Sequence, residues 1–138
     1  MKLNYSIRSN LNELQELTKT ILDFCESYAY NAEFIGDIRL VFEEIIVNII
    51  KHGYDNSPDG PINLAIDMES EQWTMTVEDE GKPFNPQDFQ PMNVEKSFDE
   101  KDIGGLGVHM IQEMAEHIEY KRIYNKNRLK ISLSNKAV

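Results

Sequence analysis

The chain has 138 residues, with 14 Lys+Arg against 24 Asp+Glu, and so carries a formal net charge of −10. This length suits one domain with a sizeable core, and a hydrophobic fraction of 41% is too high for a disordered chain. The acidity disfavours non-specific nucleic-acid binding and docking on an anionic membrane surface, so we expect no direct partner of either kind. A small anion held locally together with a metal remains compatible with it.

The single cysteine, Cys25, excludes an internal disulfide and any multi-cysteine metal site. Its neighbours Leu22, Phe24 and Tyr28 favour a buried thiol over a reactive nucleophile. No apolar run approaches the roughly 18 residues of a membrane-spanning helix, and residues 1–10 lack the apolar core of a signal peptide. These features predict a reducing, cytoplasmic location.

Alternating polar and apolar residues over 2–7 predict a half-buried first strand. Asn10 and Glu13 have the spacing of a capping box, which predicts that a first helix begins there. A second helix is predicted from about Asp37 to His52, with Gly53 as its stop. The apolar stripe predicted for the first helix consists of Leu11, Leu14, Leu17, Ile21, Phe24 and Tyr28.

The second half of the chain predicts two hairpins separated by a long loop and a helix. The loop runs from Glu80 to Gly107, and a loop of this length inside a compact domain usually serves a function. A third helix follows, with Val108 as its first apolar residue. The predicted strands span about 62–68, 73–77, 118–124 and 128–133. This order predicts an α+β two-layer sandwich, with helices on one face of a mixed, mostly antiparallel sheet.

Three polar residues share one stripe of the second predicted helix. Glu44, Asn48 and His52 follow at intervals of four residues, beside the apolar face. Asn is a poor former of helix interiors, and its amide oxygen is a good ligand for a hard cation such as Mg²⁺. A carboxylate one turn away can polarise a water or a hydroxyl. A solvated polar flank of the helix would give the same pattern.

An acidic residue and a glycine mark the exit of the third predicted strand. Asp79 can accept a hydrogen bond from a ligand amino group, and Gly81 lets the backbone approach a ligand closely. Pro83 and Phe84 follow. An acidic exit from a strand into a turn is the alternative interpretation of this segment.

A glycine segment at the start of the third predicted helix is the third motif. Gly104, Gly105, Leu106 and Gly107 would present backbone N–H groups at a helix N-terminus, an arrangement that suits phosphate. The segment is neither a Walker A loop nor a dinucleotide-binding fingerprint. A flexible hinge is the alternative.

The order and placement of these three motifs resemble the histidine-kinase-like ATPase superfamily, also called GHKL. The helical motif resembles its N box, the strand-exit motif its first glycine box, and the glycine segment its second. Residues 52–54 (HGY) and 83–86 (PFNP) are most similar to the anti-sigma-factor and serine-protein-kinase branch. The resemblance covers the whole chain and implies a single Bergerat-type ATP-binding domain over residues 1–138.

The resemblance also implies roles for individual residues, with ATP and Mg²⁺ as cofactors. Asn48 would bind the Mg²⁺ that bridges the ATP phosphates, and Glu44 would be the general base that orients an attacking hydroxyl. Asp79 would accept from the adenine amino group, with Gly81 leaving room for the base. Residues 85–103 would form the ATP lid. Further residues expected at the nucleotide are His52, Pro83, Gly104, Gly105, Leu106, Gly107 and, for a hydroxyl near the base, Ser132. For His52, bracing of Tyr54 or of the lid is the alternative.

Two functions follow as expectations from this resemblance. The first is an ATP-dependent serine/threonine protein kinase that phosphorylates a small antagonist (anti-anti-sigma) protein, sequesters a sigma factor, and so regulates transcription by partner switching, with a homodimer as a possible form. The alternative is a nucleotide-binding interaction module without significant kinase activity, because the second glycine motif lacks the basic residue that many relatives carry beside it. Phe89, Met92 and Phe98 would either form a partner surface or pack the lid.

Overall fold

Helices cover one face of an antiparallel sheet in the computed structural model, which describes residues 1–88 and 100–136, with only the backbone at residues 88 and 100–106. The described strands are β1 (Lys2–Arg8), β2 (Pro61–Met68), β3 (Gln72–Asp79), β4 (His117–Ile123) and β5 (Lys126–Ser134). The described α-helices are α1 (Leu11–Ser27), α2 (Ala32–Asn48) and α3 (Glu100–Met114). The strand order is β1-β2-β3-β5-β4, and each neighbouring pair is antiparallel. The predicted α+β two-layer sandwich is confirmed, although the described sheet is wholly antiparallel rather than mixed.

Helix α1 begins at the predicted capping box. The Asn10 side chain accepts from the Glu13 N–H at 3.0 Å, and the Glu13 carboxylate accepts from the Arg8 N–H at 3.0 Å. The predicted apolar stripe is wrong at its first member, because Leu11 is 57% exposed. Leu11 is the first residue of the helix. Cys25, by contrast, is fully buried, as predicted, and burial raises the pKa of its thiol to about 11.

Helix α2 begins earlier than predicted and ends in a wider turn. Its cap is Asn31, whose side chain accepts from the Phe34 N–H at 2.8 Å, so the helix starts at Ala32 rather than near Asp37. The last helical turn, over Ile49–Gly53, is π-helical. π-turns occur mostly as single insertions in α-helices and are frequent at functional sites. The predicted stop at Gly53 is confirmed.

The sheet carries its apolar residues on the face that meets the helices. Strand β3 alternates strictly, with Trp73, Met75 and Val77 buried and the residues between them half-buried. The same face continues through Asp79, which is opposite Asn127 in the pairing of β3 with β5. Because the pairing is in register, two polar side chains meet at the end of a core otherwise lined by apolar residues.

The predicted loop is shorter than expected at its C-terminal end, because α3 already begins at Glu100. Residues 89–99 lie outside the described part of the chain, and with them most of the predicted ATP lid and the apolar residues Phe89, Met92 and Phe98. Helix α3 packs along α2, with Val108 and Ile111 buried. Within the described residues, no helix is both long and apolar enough to cross a membrane.

Candidate functional site

A small cavity lies where the end of α2 meets the end of β3. Its volume is about 20 Å³, which is room for about one water molecule. Three polar residues from three different elements line it, namely Asn48, Asp79 and Asn127. The apolar lining comes from Ile45, Ile49, Phe84, Pro86, Tyr120 and Leu129. The structure therefore brings the first two sequence motifs together at one point.

The side chain of Asn48 is buried, and its amide nitrogen has no hydrogen-bond partner among the described residues. A buried polar group without a partner costs about 1–3 kcal/mol, so such groups are rare unless something else uses them. The described residues contain no cluster of three His, Cys, Asp or Glu that could hold a metal. The unpartnered nitrogen is a hydrogen-bond donor and does not itself bind a cation. The oxygen of the same amide is a ligand type that suits Mg²⁺, which keeps waters and substrate phosphates as its other ligands.

Glu44 lies one helical turn before Asn48 and is half-buried. Burial raises the pKa of its carboxyl; Lys51 lowers it and Glu43 raises it, both to a smaller extent. A carboxylate with a raised pKa is a better proton acceptor, as a general base requires. Its carboxylate packs directly against the backbone of Gly107, because a Cβ built at Gly107 would lie 2.0 Å from Glu44 Oε2.

Asp79 ends β3 and is only 5% exposed. Burial raises the pKa of its carboxyl, which the hydrogen bonds from Asn127 and the Gly81 N–H and the charge of Arg122 lower in part. Both hydrogen bonds, each 2.9 Å long, go to the same oxygen, Oδ1. No described residue donates to Oδ2. Asp79 thus lines the cavity with one carboxylate oxygen satisfied and the other available to accept a hydrogen bond.

The backbone just after β3 touches the end of α2. The Lys82 N–H donates to the Gly53 carbonyl at 2.8 Å, and a Cβ at Gly81 would lie 2.6 Å from that same carbonyl. Gly81 is therefore required for this close approach rather than for an unusual backbone angle. The Tyr54 hydroxyl accepts from the Glu80 N–H and donates to the Pro61 carbonyl, both at 2.6 Å.

Two further predicted residues, His52 and Pro83, do not line the cavity. The His52 ring is stacked on Phe84, with ring centres 5.1 Å apart and planes 5° from parallel. This contact links the end of the helix to the start of the predicted lid, which agrees with the bracing role considered for His52. Pro83 is exposed and is not part of the cavity lining.

The glycine segment lies inside α3 rather than at its start. Residues Gly104–Gly107 were expected to open the third helix, but α3 begins at Glu100. Acidic residue types such as Glu100 and Asp102 favour a helix N-terminus, while each glycine costs only about 1 kcal/mol, so the helix extends through the segment. The free N–H groups of a helix belong to its first four residues, here 100–103. Phosphate binding by Gly104, Gly105, Leu106 and Gly107 stays a prediction.

The expectation for Ser132 is wrong. Ser132 lies on β5 opposite Thr74, on the sheet face that points away from the helices, and its hydroxyl is 3.1 Å from the Thr74 hydroxyl. Asn127, on the same strand, is the residue that reaches the site. The sequence patterns predict no pairing of β3 with β5, so they carry no signal that could locate Asn127. With that pairing known, the residue opposite Asp79 must share its face.

A comparison with models of protein families identifies the family of this chain. The model of the histidine kinase-like ATPase domain matches residues 7–134, and the chain belongs to this family. The serine-protein kinase RsbW of Halalkalibacterium halodurans is 24% identical over 106 residues, which cover 74% of this chain. The anti-sigma F factor of Geobacillus stearothermophilus is 26% identical over 128 residues, which cover 91% of this chain and 85% of that protein. The chain spans less than two thirds of the RsbW relatives, 64% in the first case.

Solved structures agree on the fold. The structure of the RsbU and RsbW domains of Rv1364c from Mycobacterium tuberculosis matches with a TM-score of 0.68 at 14% identity, over 98% of this chain and 32% of that one. The SiaB–SiaC complex from Pseudomonas aeruginosa matches with a TM-score of 0.62 at 11% identity, over 96% of this chain and 89% of that one. The family inferred from the three motifs is confirmed by the family model, and the relatives named above carry the names of the branch that residues 52–54 and 83–86 resemble.

The contact between Gly107 and Glu44 predicts an energetic coupling between the two residues. In a Glu44→Ala background, Gly107→Ala should stabilise the fold by about 1 kcal/mol, because Ala favours helix over Gly by that amount. With Glu44 present, the new methyl group displaces the carboxylate, so the gain should be cancelled. Urea unfolding of the four proteins should give a coupling energy on the order of 1 kcal/mol.

Gly36→Ala is the matched control, since Gly36 lies in α2 and a Cβ there would meet nothing within 4 Å. It should stabilise the fold equally in both backgrounds. A coupling of zero between Gly107 and Glu44 would contradict the packing described above.

The buried charge of Asp79 predicts that Asp79→Asn stabilises the fold at neutral pH. Because the pKa of Asp79 is raised above its unfolded value of about 3.9, folding stability is lost as the pH rises from about 4 through the folded-state pKa. Asn keeps an oxygen for the Gly81 and Asn127 donors and removes the charge. Urea unfolding should show a gain on the order of 1 kcal/mol at pH 7 that shrinks toward pH 4.

Asp23→Asn is the control for this experiment, since Asp23 is exposed on α1. It should change the free energy of unfolding by less than about 0.5 kcal/mol. If Asp79→Asn proves less stable than the wild type at pH 7, the charge is stabilised by its neighbours more than burial penalises it.

Proposed function

We propose that this chain binds ATP with Mg²⁺ and transfers the γ-phosphoryl group to a serine of a small antagonist protein. The observation that carries the proposal is the shared cavity, which Asn48 and Asp79 line at the junction of α2 and β3. The amide nitrogen of Asn48 has no described partner, and both described donors to Asp79 reach Oδ1 and leave Oδ2 open. Membership in a family of ATPases supports the choice of nucleotide. The names of the relatives, serine-protein kinase RsbW and anti-sigma F factor, support the choice of reaction and acceptor.

In this proposal each polar residue of the site has one task. Asp79 Oδ2 accepts a hydrogen bond from the amino group of the adenine, in a position enclosed by apolar side chains. The Asn48 amide oxygen is the protein ligand of Mg²⁺, which when bound neutralises charge on the phosphates. The Glu44 carboxylate accepts the proton of the attacking serine hydroxyl. Positioning and charge neutralisation supply most of the catalysis in phosphoryl transfer, so few protein groups are needed.

The cavity must widen for this function, because about 20 Å³ does not hold a purine base. Phe84 and Pro86 line it and belong to the segment that leads into the predicted lid. The His52–Phe84 stack is exposed to solvent on its His52 side. We therefore propose that Phe84 moves when the nucleotide enters.

Regulation by partner switching is part of the proposal. The antagonist would be an anti-anti-sigma protein, and the alternative partner a sigma factor, as the name of the anti-sigma F factor relative suggests. The structure of a SiaB–SiaC complex shows that a chain with this fold forms a protein complex. A homodimer, as expected from the branch, belongs to the same proposal.

Calorimetric titration of ATP tests the nucleotide site. With Mg²⁺, Asn48→Ala should weaken ATP binding by at least about 10-fold, because a lost metal ligand typically costs 10- to 100-fold. With EDTA in place of Mg²⁺, the two proteins should bind equally. Asn4→Ala, an exposed substitution on β1, should bind like the wild type in both buffers. Absence of binding by the wild type would refute the proposal.

A phosphotransfer assay tests the reaction. Purified candidate antagonist proteins are incubated with the chain and γ-labelled ATP, and phosphoserine is measured. Glu44→Gln should slow transfer by at least about 100-fold, the usual contribution of a general base, while ATP affinity stays within about threefold. ATP binding with no phosphorylated partner would instead favour the nucleotide-binding interaction module.

A further inference from the structure

The β4–β5 hairpin clamps the backbone that follows Asp79. Asn127, in β5, is 4% exposed. Its amide nitrogen donates to Asp79 Oδ1 at 2.9 Å and to the Lys82 carbonyl at 2.8 Å, and approaches the Gly81 carbonyl at 3.3 Å. Arg122, in β4, donates to the same Gly81 carbonyl at 2.7 Å. One buried amide thus joins the carboxylate to the two residues of the strand exit.

The orientation of the Asn127 amide is fixed by its surroundings. The Tyr120 hydroxyl donates to Asn127 Oδ1. A flipped amide would lose this bond and would place its oxygen against a carboxylate and two carbonyls. Because the three acceptors and the single donor lie on opposite sides of the amide, only one orientation satisfies them.

This arrangement controls which oxygen of Asp79 is open. The Asn127 amide and the Gly81 N–H both donate to Oδ1, so the carboxylate is held in one rotamer. Oδ2 then remains the acceptor with no described donor, and the carboxylate lines the cavity with Asn48 and Phe84. A fixed carboxylate oxygen accepts a hydrogen bond from an amino group but repels a carbonyl oxygen placed at the same point.

We propose that Asn127, oriented by Tyr120, is a positioning residue that makes the site selective for 6-amino purines over 6-oxo purines. The inference rests on the proposed function, since it assumes that a purine nucleotide occupies the cavity. Without the Asn127 amide, the Asp79 carboxylate is free to rotate and no longer holds one oxygen toward the base. A site that hydrogen-bonds a substrate group discriminates strongly against an analogue that lacks it. Loss of the Asn127 amide should therefore lower the preference for 6-amino purines over 6-oxo purines.

The test compares the affinities of ATP and inosine triphosphate by calorimetry with Mg²⁺ present. The two nucleotides share sugar and phosphates and differ at position 6 of the base. The wild type should prefer ATP by at least about 100-fold, and Asn127→Ala should reduce this ratio by at least about 10-fold, the scale of one hydrogen bond to a charged group. Asn135→Ala is the matched control, because Asn135 is also a buried asparagine, 7% exposed, at the far end of β5. It should leave the ratio unchanged.

Tyr120→Phe provides a second, milder variant that keeps the Asn127 amide and removes only the hydroxyl that orients it. Its ATP preference should lie between those of the wild type and Asn127→Ala. Equal losses of affinity for both nucleotides in Asn127→Ala, with the ratio preserved in both variants, would overturn the positioning role while leaving the proposed nucleotide site intact. Failure of the wild type to bind either nucleotide would overturn the proposed function, and this inference with it.

Discussion

A carboxylate buried at the end of a core strand is the constraint on which the site depends. Asp79 continues the apolar face of β3, and its charge is unfavourable there unless donors compensate it. The Asn127 amide and the Gly81 N–H provide this compensation, and both reach the same oxygen. The compensation is incomplete, because burial still raises the pKa of the carboxyl. The charge is therefore kept at a cost in stability, as is common at functional sites.

The same logic applies to the end of α2. The helix places Asn48 where its amide is buried without a described partner, and places Glu44 where its carboxyl is half-buried. Neither residue stabilises the fold at its position, since an apolar residue there would not incur the free-energy cost of burying a polar group. The π-helical turn over Ile49–Gly53 follows directly and brings the helix end against the strand exit through Gly53. Together the two elements surround a cavity in which a few polar groups without described partners meet an apolar lining, which is typical of a binding site.

Membership in the histidine kinase-like ATPase family gives these unsatisfied groups a common explanation. A nucleotide offers an amino group to the open oxygen of Asp79, and its phosphate oxygens are acceptors for the unpartnered N–H of Asn48. In the proposed function, a metal ion would bind the oxygen of the same amide. The acidic net charge of −10 is no obstacle to the proposal, because a metal ion would neutralise charge on the phosphates. The β4–β5 hairpin adds a second layer of polar contacts, in which Tyr120 donates to Asn127 and Asn127 donates to Asp79.

The sequence by itself determined the order of the elements, the alternating strands, the cap of α1 and the three motifs. These features depend on periodicity and capping, which are properties of residues close together in the chain. It misplaced the starts of α2 and α3, since helix ends depend on single caps and on tolerated glycines. It also expected Ser132 near the base, whereas the structure places Ser132 on the opposite face and brings Asn127 to the site. Only the tertiary structure decided this, because the pairing of β3 with β5 sets which residues of β5 share the face of Asp79. Register is a long-range property, and a shift of one residue moves every side chain to the opposite face of the sheet.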